Sequence, residues 1–164
     1  MERNVLEVLQ RGTALRRESE PSRRPTAALL TCVDERIVPE RIFGCAPGSL
    51  YCVRLAGHVV TPEVVSSLEI GLGLGCGLVL VLGHTDCGAV RLERQGASDP
   101  FSILHHIRVA TRWLPRTAGL EEAIEANVIQ SMRELRGRLR ARVEGGIYDV
   151  VTGQVRMLEH KKTE

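Results

Sequence analysis

Charge of one sign is missing from this chain. Its 22 basic and 20 acidic residues leave a formal net charge of +2, too little to draw the protein onto nucleic acid. The basic residues are interleaved with glutamate, as in Arg133-Glu134-Leu135-Arg136, which suits a solvated helix face. No apolar run approaches the ~20 residues of a membrane-spanning helix, and Met1-Glu2-Arg3-Asn4 begins no signal-peptide apolar core. Internal repeats and low-complexity stretches are missing as well. The cysteines (Cys32, Cys45, Cys52, Cys76, Cys87) are odd in number and lack the spacing of a small disulfide scaffold. The expectation is a cytoplasmic protein with neither nucleic acid nor membrane as partner. Its cysteines are then metal-binding, catalytic or buried.

What is present is ordinary for a globular protein: 43% hydrophobic and 26% charged residues. A length of 164 residues suits one domain, 1–164, with a sizeable core. Val5 to Arg17 has a narrow helical stripe, and Ser19 to Pro25 reads as a connector with two prolines. Ala27 to Thr31 is a buried strand, followed by a short helix over Ile37 to Phe43 with Pro39 near its start. Ser49 to Arg54 is a second strand. Thr61-Pro62 opens a helix, Thr61 as N-cap and Pro62 at the first position. Leu78 to Gly83 is a third strand. Gly88 to Arg94, Pro100 to Trp113 and Leu120 to about Val143 read as helices. Gly145 to Val150 and Val151 to Leu158 read as a hairpin turning near Thr152-Gly153. The expected fold class is α/β, a largely parallel central sheet flanked by helices with a C-terminal strand pair.

Two short stretches carry the chemistry, Cys32-Val33-Asp34-Glu35-Arg36 and His84-Thr85-Asp86-Cys87-Gly88. Each follows a predicted strand, so a parallel sheet delivers two cysteines and a histidine to the carboxyl edge where α/β sites form. A lone Cys32 would read as a buried small hydrophobe, and a lone His-x-x-Cys is weak. Together they make a three-ligand set for zinc with a fourth position open to water. Two thiolates and one neutral imidazole favour zinc over hard cations. Water in the fourth position is polarised and its pKa falls toward ~7, making hydroxide available. Thiolates donate more charge than imidazoles, so that hydroxide needs help. Asp34 is the candidate, accepting its hydrogen bond, with Arg36 gripping the carboxylate in a bidentate fork and keeping it ionised. Without the arginine, Asp34 could swing onto the metal.

Cys-x-Asp-x-Arg, some fifty residues, then His-x-x-Cys-Gly is similar to the β-class carbonic anhydrases. The likeness extends to Pro39-Glu40-Arg41-Ile42-Phe43, Pro47-Gly48, Val53-Arg54-x-Ala56-Gly57, Ser67-Leu68-Glu69 and Leu82-Gly83 before the histidine. Tyr148-Asp149-Val150-x-Thr152-Gly153 resembles the family's terminal strands. The match is strong over about residues 26 to 95, and the chain most resembles the short, compact members. The resemblance implies a zinc lyase that hydrates CO2 reversibly to bicarbonate, with Cys32, His84 and Cys87 on the metal and Asp34 and Arg36 as the catalytic pair. It also implies an open state and, in some members, a closed one with Asp34 as fourth ligand. A homodimer or tetramer is implied, with residues 1–25 packing on a partner subunit.

CO2 is small and apolar, so apolar walls are expected near the metal, from Val38, Tyr51 or Leu55. His58 is either a proton relay or an ordinary loop histidine. His105 and His106 read as solvated, and Cys45, Cys52 and Cys76 as packing residues. The chain departs from the family in Glu35, where serine is usual, and in Leu55, where asparagine is usual. Leu29 stands where members with bicarbonate-controlled closure resemble one another in having tryptophan, which argues against that closure. The aromatic content of 3% is low for the family. Two other readings stand beside the first: a COS or CS2 hydrolase on the same zinc scaffold, and a catalytically silent zinc-binding structural module.

Overall fold

A computed structural model describes residues 25–97 and 103–158. The expected N-terminal helix and most of its connector lie outside the described residues. Five strands form one sheet in the order β2-β1-β3-β4-β5, with β1 Ala27–Thr31, β2 Leu50–Arg54, β3 Val79–His84, β4 Val143–Tyr148 and β5 Val155–Met157. The first four pair in parallel and β5 returns antiparallel to β4. The helices are α1 Pro39–Ile42, α2 Pro62–Gly73, α3 Gly88–Arg94, α4 Ile103–Thr111 and α5 Leu120–Arg138, with a 3-10 turn at Ala56–His58. The sequence-derived fold class is what is observed.

The central strands read as continuous apolar runs because both their faces are covered. Ala28, Leu29, Leu30 and Thr31 of β1 are all fully buried, and so are Val79, Val81 and Leu82 of β3. Each of these leucine and valine side chains contributes about 1.5–3 kcal/mol on leaving water. Thr31 avoids the cost of a buried hydroxyl by donating to the Leu82 carbonyl at 2.8 Å. The helix α2 lies against β1 and β2, and α5 against β3 and β4. On α5 the buried positions Ala123, Ile124, Asn127, Val128, Ser131, Met132 and Leu135 recur at helical spacing and form one stripe. Two of them are polar.

Boundaries shift in a few places. The last long helix stops at Arg138, not Val143. Leu139 is already extended at φ −106° and ψ 140°, because Val143 is required in register with Val79 as the first residue of β4. The sheet thus overrides a locally helical composition. Thr61 does cap α2, its hydroxyl accepting from the Val64 N–H at 3.3 Å, with Pro62 at the first helical position. The hairpin turns through Asp149, whose carboxylate accepts from the Val151 and Thr152 N–H groups at 2.8 and 3.1 Å.

Candidate metal centre

The strands β1 and β3 are neighbours, with Thr31 opposite Leu82. One residue past β1 comes Cys32, and the last residue of β3 is His84. A tight turn then leads to Cys87, the residue that caps α3. Asp86 takes a left-handed conformation at φ +58°, which short polar side chains tolerate. The turn is pinned from β4, since Thr85 donates its N–H to the Tyr148 carbonyl at 2.9 Å and its hydroxyl accepts from the Val150 N–H at 3.0 Å. The sulfurs of Cys32 and Cys87 and a ring nitrogen of His84 come within 4.8 Å of one another, all three residues being buried.

Three features fit this trio to a soft divalent metal. The His84 ring is oriented by Nδ1–H donating to the Thr85 carbonyl at 2.9 Å, so Nε2 carries the lone pair. That Nε2 is buried and has no hydrogen-bond partner, an expensive arrangement unless something binds there. The Cys32 sulfur accepts the Gly57 N–H at 3.3 Å, a bond that favours thiolate. Cys32 is drawn well below the ordinary thiol range, first by the neighbouring Cys87 thiol and then by His84 and backbone N–H groups, against desolvation. Cys87 is pushed the other way by the same contact and by burial, while the N–H groups of Val90 and Ala89 in the first turn of α3 pull it back. A cation between the two sulfurs would take the place of thiol protons there.

Beside the trio stands the predicted carboxylate–guanidinium pair. Arg36 grips Asp34 with Nε on Oδ1 at 2.9 Å and Nη2 on Oδ2 at 2.8 Å, and its backbone N–H adds a third bond to Oδ1 at 3.0 Å. The guanidinium holds the Asp34 carboxyl down to about 2, with partial burial opposing. Asp34 Oδ2 lies 3.9 Å from the unpartnered His84 Nε2. The loop bearing Cys32 and Asp34 is itself held by β2, because Arg54 donates to the Cys32 carbonyl at 3.1 Å and to the Asp34 carbonyl at 2.8 Å.

The remaining candidates separate. His58 is 1% exposed, with Nδ1 3.4 Å from the Ser131 hydroxyl and Nε2 3.4 Å from the Asn127 amide. Burial lowers its pKa to about 4, so it is a neutral, buried histidine and no relay to solvent. His105 and His106 are exposed. Leu55 lines a cleft of about 660 Å3 with Val53, Val64 and Ile103, together with Arg54, Glu63 and His106, and none of the donor trio lines it. Val38 is exposed at the head of α1. Tyr51 packs against Gly71, toward the far end of β2 from Cys32. Cys76 is buried, and Cys45 and Cys52 are half-buried.

Sequence reading missed the shell behind the ligands. Asn127 donates to the Gly57 carbonyl at 2.8 Å, and Ser131 donates to the His58 carbonyl at 3.2 Å. These bonds hold the 3-10 turn whose Gly57 N–H meets Cys32. Gly57 sits at φ +61°, and a Cβ there would come within 2.7 Å of the Ile107 side chain. The available signal was two polar residues four apart on the apolar stripe of α5.

The family model described as carbonic anhydrase matches residues 27–155. The β-carbonic anhydrase 1 of Mycobacterium bovis is 30% identical over 135 residues, covering 78% of each chain. The chain belongs to the β-carbonic anhydrase family. Carbonic anhydrase 2 of Mycobacterium tuberculosis is 39% identical over 77 residues, but that stretch is 46% of this chain and 37% of the relative. The chain thus spans little more than a third of that relative's length. Among solved structures, one of two tetrameric β-carbonic anhydrases from Sordaria macrospora superposes with a TM-score of 0.71 at 17% identity, covering 95% of both chains, a likeness of fold. In this member of the family the five candidate site residues read from the sequence, Cys32, Asp34, Arg36, His84 and Cys87, fall in one cluster. No helix among the described residues is long and apolar enough to cross a membrane.

Proposed function

We propose that this protein hydrates CO2 reversibly to bicarbonate and a proton, with zinc held by Cys32, His84 and Cys87. The observation that carries the reading is the buried, unpartnered His84 Nε2 facing two sulfurs, with the Arg36-gripped Asp34 carboxylate 3.9 Å away. A purely structural zinc site has no use for that carboxylate. When bound, zinc supplies Lewis acidity that brings a water's pKa toward neutrality.

The chain's residues do the rest. Two thiolates and a neutral imidazole balance the dication's charge, and the Gly57 N–H stabilises the Cys32 sulfur. Asp34 accepts a hydrogen bond from the attacking oxygen and aims its lone pair at the CO2 carbon. Arg36 keeps that carboxylate ionised across the working range and, by occupying both oxygens, keeps it from taking the water's place. CO2 needs apolar side chains on its way to the site, and Leu55, on the wall of its own cleft, is the candidate for one of them.

COS or CS2 hydrolysis is the second reading, favoured by the apolar Leu55 cleft, which suits a larger apolar substrate. The protein is proposed to act in the cytoplasm as a homodimer or tetramer, in keeping with the tetrameric neighbours from Sordaria macrospora. The test is stopped-flow CO2 hydration from about pH 6.5 to about 9, with zinc measured in the same sample. Activity rising with pH at about one zinc per chain supports the proposal. Full zinc with no hydration overturns it, with COS the next substrate, and silence on both leaves a zinc-stabilised structural module.

A further inference from the structure

We propose that Asp86, backed by Arg91, is a positioning residue that keeps Arg36 on Asp34 and so holds the site open. The inference rests on the metal reading above, but its origin is a second set of bonds on Arg36 that the catalytic pair does not require. Besides its grip on Asp34, the guanidinium donates from Nη1 to Asp86 Oδ2 at 3.0 Å and from Nη2 to the Asp86 carbonyl at 3.1 Å. The other carboxylate oxygen of Asp86, Oδ1, is paired with Arg91 on α3. Four residues thus form a chain, Asp34–Arg36–Asp86–Arg91, that ties the turn after β1 to the turn after β3.

The need for this tie follows from exposure. The Arg36 side chain is 38% exposed and sits on a turn, and a lone exposed ion pair restrains a long side chain poorly. Asp34 is the more buried partner, at 11%, and its Oδ2 already lies 3.9 Å from His84 Nε2. If Arg36 lets go, a small rotation of Asp34 brings that oxygen to the metal position. A second anchor on the opposite side of the guanidinium fixes its plane and keeps the fork aligned. Asp86 presents both anchors at once because its left-handed backbone, φ +58°, turns the carbonyl and the carboxylate toward Arg36 together. Leu29 is compatible with a protein that rests open. The latch is then a fixed part of the fold, and the closed state is what appears when it is cut.

The experiment compares wild type with Asp86→Asn, which keeps a residue at ease in the left-handed region and its carbonyl but loses the charge, and with Arg91→Gln. Each is loaded with cobalt(II) and titrated with azide while the visible absorption is recorded. Each is also loaded with zinc and assayed for CO2 hydration. A closed site takes no azide, so the apparent Kd scales inversely with the open fraction. Asp86→Asn is expected to retain full metal, to weaken azide by up to about threefold and to lower hydration kcat/KM by the same factor. Arg91→Gln follows in the same direction by about twofold. In an Arg36→Gln background, Asp86→Asn adds nothing further to either readout.

Unchanged azide affinity at full metal makes Asp86 a surface ion pair and overturns the latch. Loss of metal from Asp86→Asn also overturns it, because Asp86 would then be shaping the Cys87 turn. The two readings fail separately. Metal and azide binding with the predicted shift, but no hydration in wild type, refutes the activity and keeps the latch. A wild type that takes up no metal refutes both.

Discussion

Replacing Asn127 with alanine tests whether the shell behind the thiolate belongs to the metal site or merely fills the core. Asn127 is 2% exposed and spends its amide on the Gly57 carbonyl at 2.8 Å and the His58 ring at 3.4 Å. Asn127→Ala leaves the Gly57 carbonyl buried with no partner, which costs about 1–3 kcal/mol. With a urea slope of about 1–3 kcal/mol/M, a loss of ~2 kcal/mol moves the unfolding midpoint of the metal-free protein down by about 1 M. The same change loosens the turn that presents the Gly57 N–H to Cys32 at 3.3 Å. Partners of this kind are worth about 10–100-fold in metal affinity, so zinc release to a chromophoric chelator should quicken by about that factor. Ser131→Ala is the control, because Ser131 bonds His58 and leaves the Gly57 carbonyl satisfied. It should lower stability modestly and quicken zinc release by much less than Asn127→Ala does, because the Gly57 carbonyl keeps its partner. If Asn127→Ala loses stability yet releases zinc like wild type, the shell has no part in holding the metal.

Asp34→Asn should keep zinc at full stoichiometry by elemental analysis and lower CO2 hydration by roughly 10²-fold or more, since the amide cannot replace the ionised acceptor; near-normal turnover would remove Asp34 from its role. Cys32→Ser should lose the metal, and chelation of the wild type should abolish hydration and lower the melting temperature, both restored by added zinc. His58 adds a pH dependence. Its folded pKa of about 4 lies below the ordinary 6.5, so between those values the unfolded chain binds the extra proton and stability falls as pH falls. The full effect is about 3 kcal/mol, complete below about pH 4. His58→Asn, whose side chain tolerates the φ of +44° there, should flatten that slope in urea titrations of metal-free protein.

Much of this was legible because the chemistry sits where the strands end. The central strands are buried on both faces, and Ala27 to Leu30 and Val79 to Leu82 show it as unbroken apolar runs. Finding those ends places Cys32 and His84, and the short turn to Cys87 follows. Asp34 and Arg36 are two residues apart, so their pairing is local and readable. What escaped reading is long-range. The bond from Arg36 to Asp86 spans 50 residues and that from Asn127 to Gly57 spans 70, and nothing in either neighbourhood announces the other. His58 looked like a loop residue because its burial comes from α5, far along the chain. The end of α5 is illegible for the same reason, since the segment after Arg138 is drawn straight by pairing with β3 rather than by its own composition. Tyr51 has the right character for a pocket wall, but its place in β2 puts it against Gly71.

The donor trio is split unevenly along the chain, and this bears on how the protein would gain and lose the zinc proposed for it. His84 and Cys87 lie on one turn and remain neighbours in a denatured chain, whereas Cys32 is brought to them by the β1–β3 pairing. A denatured chain therefore keeps a two-donor chelate that can hold zinc weakly, and it closes the set only as the middle of the sheet forms. Zinc taken up early would travel with the His84–Cys87 half and later staple β1 to β3. That residual affinity of the unfolded state makes the stabilisation by zinc smaller than its affinity for the native site alone implies. It also gives demetallation an order: opening of β1 frees Cys32 first, and amide exchange at the centre of the sheet should keep pace with metal escape under native conditions.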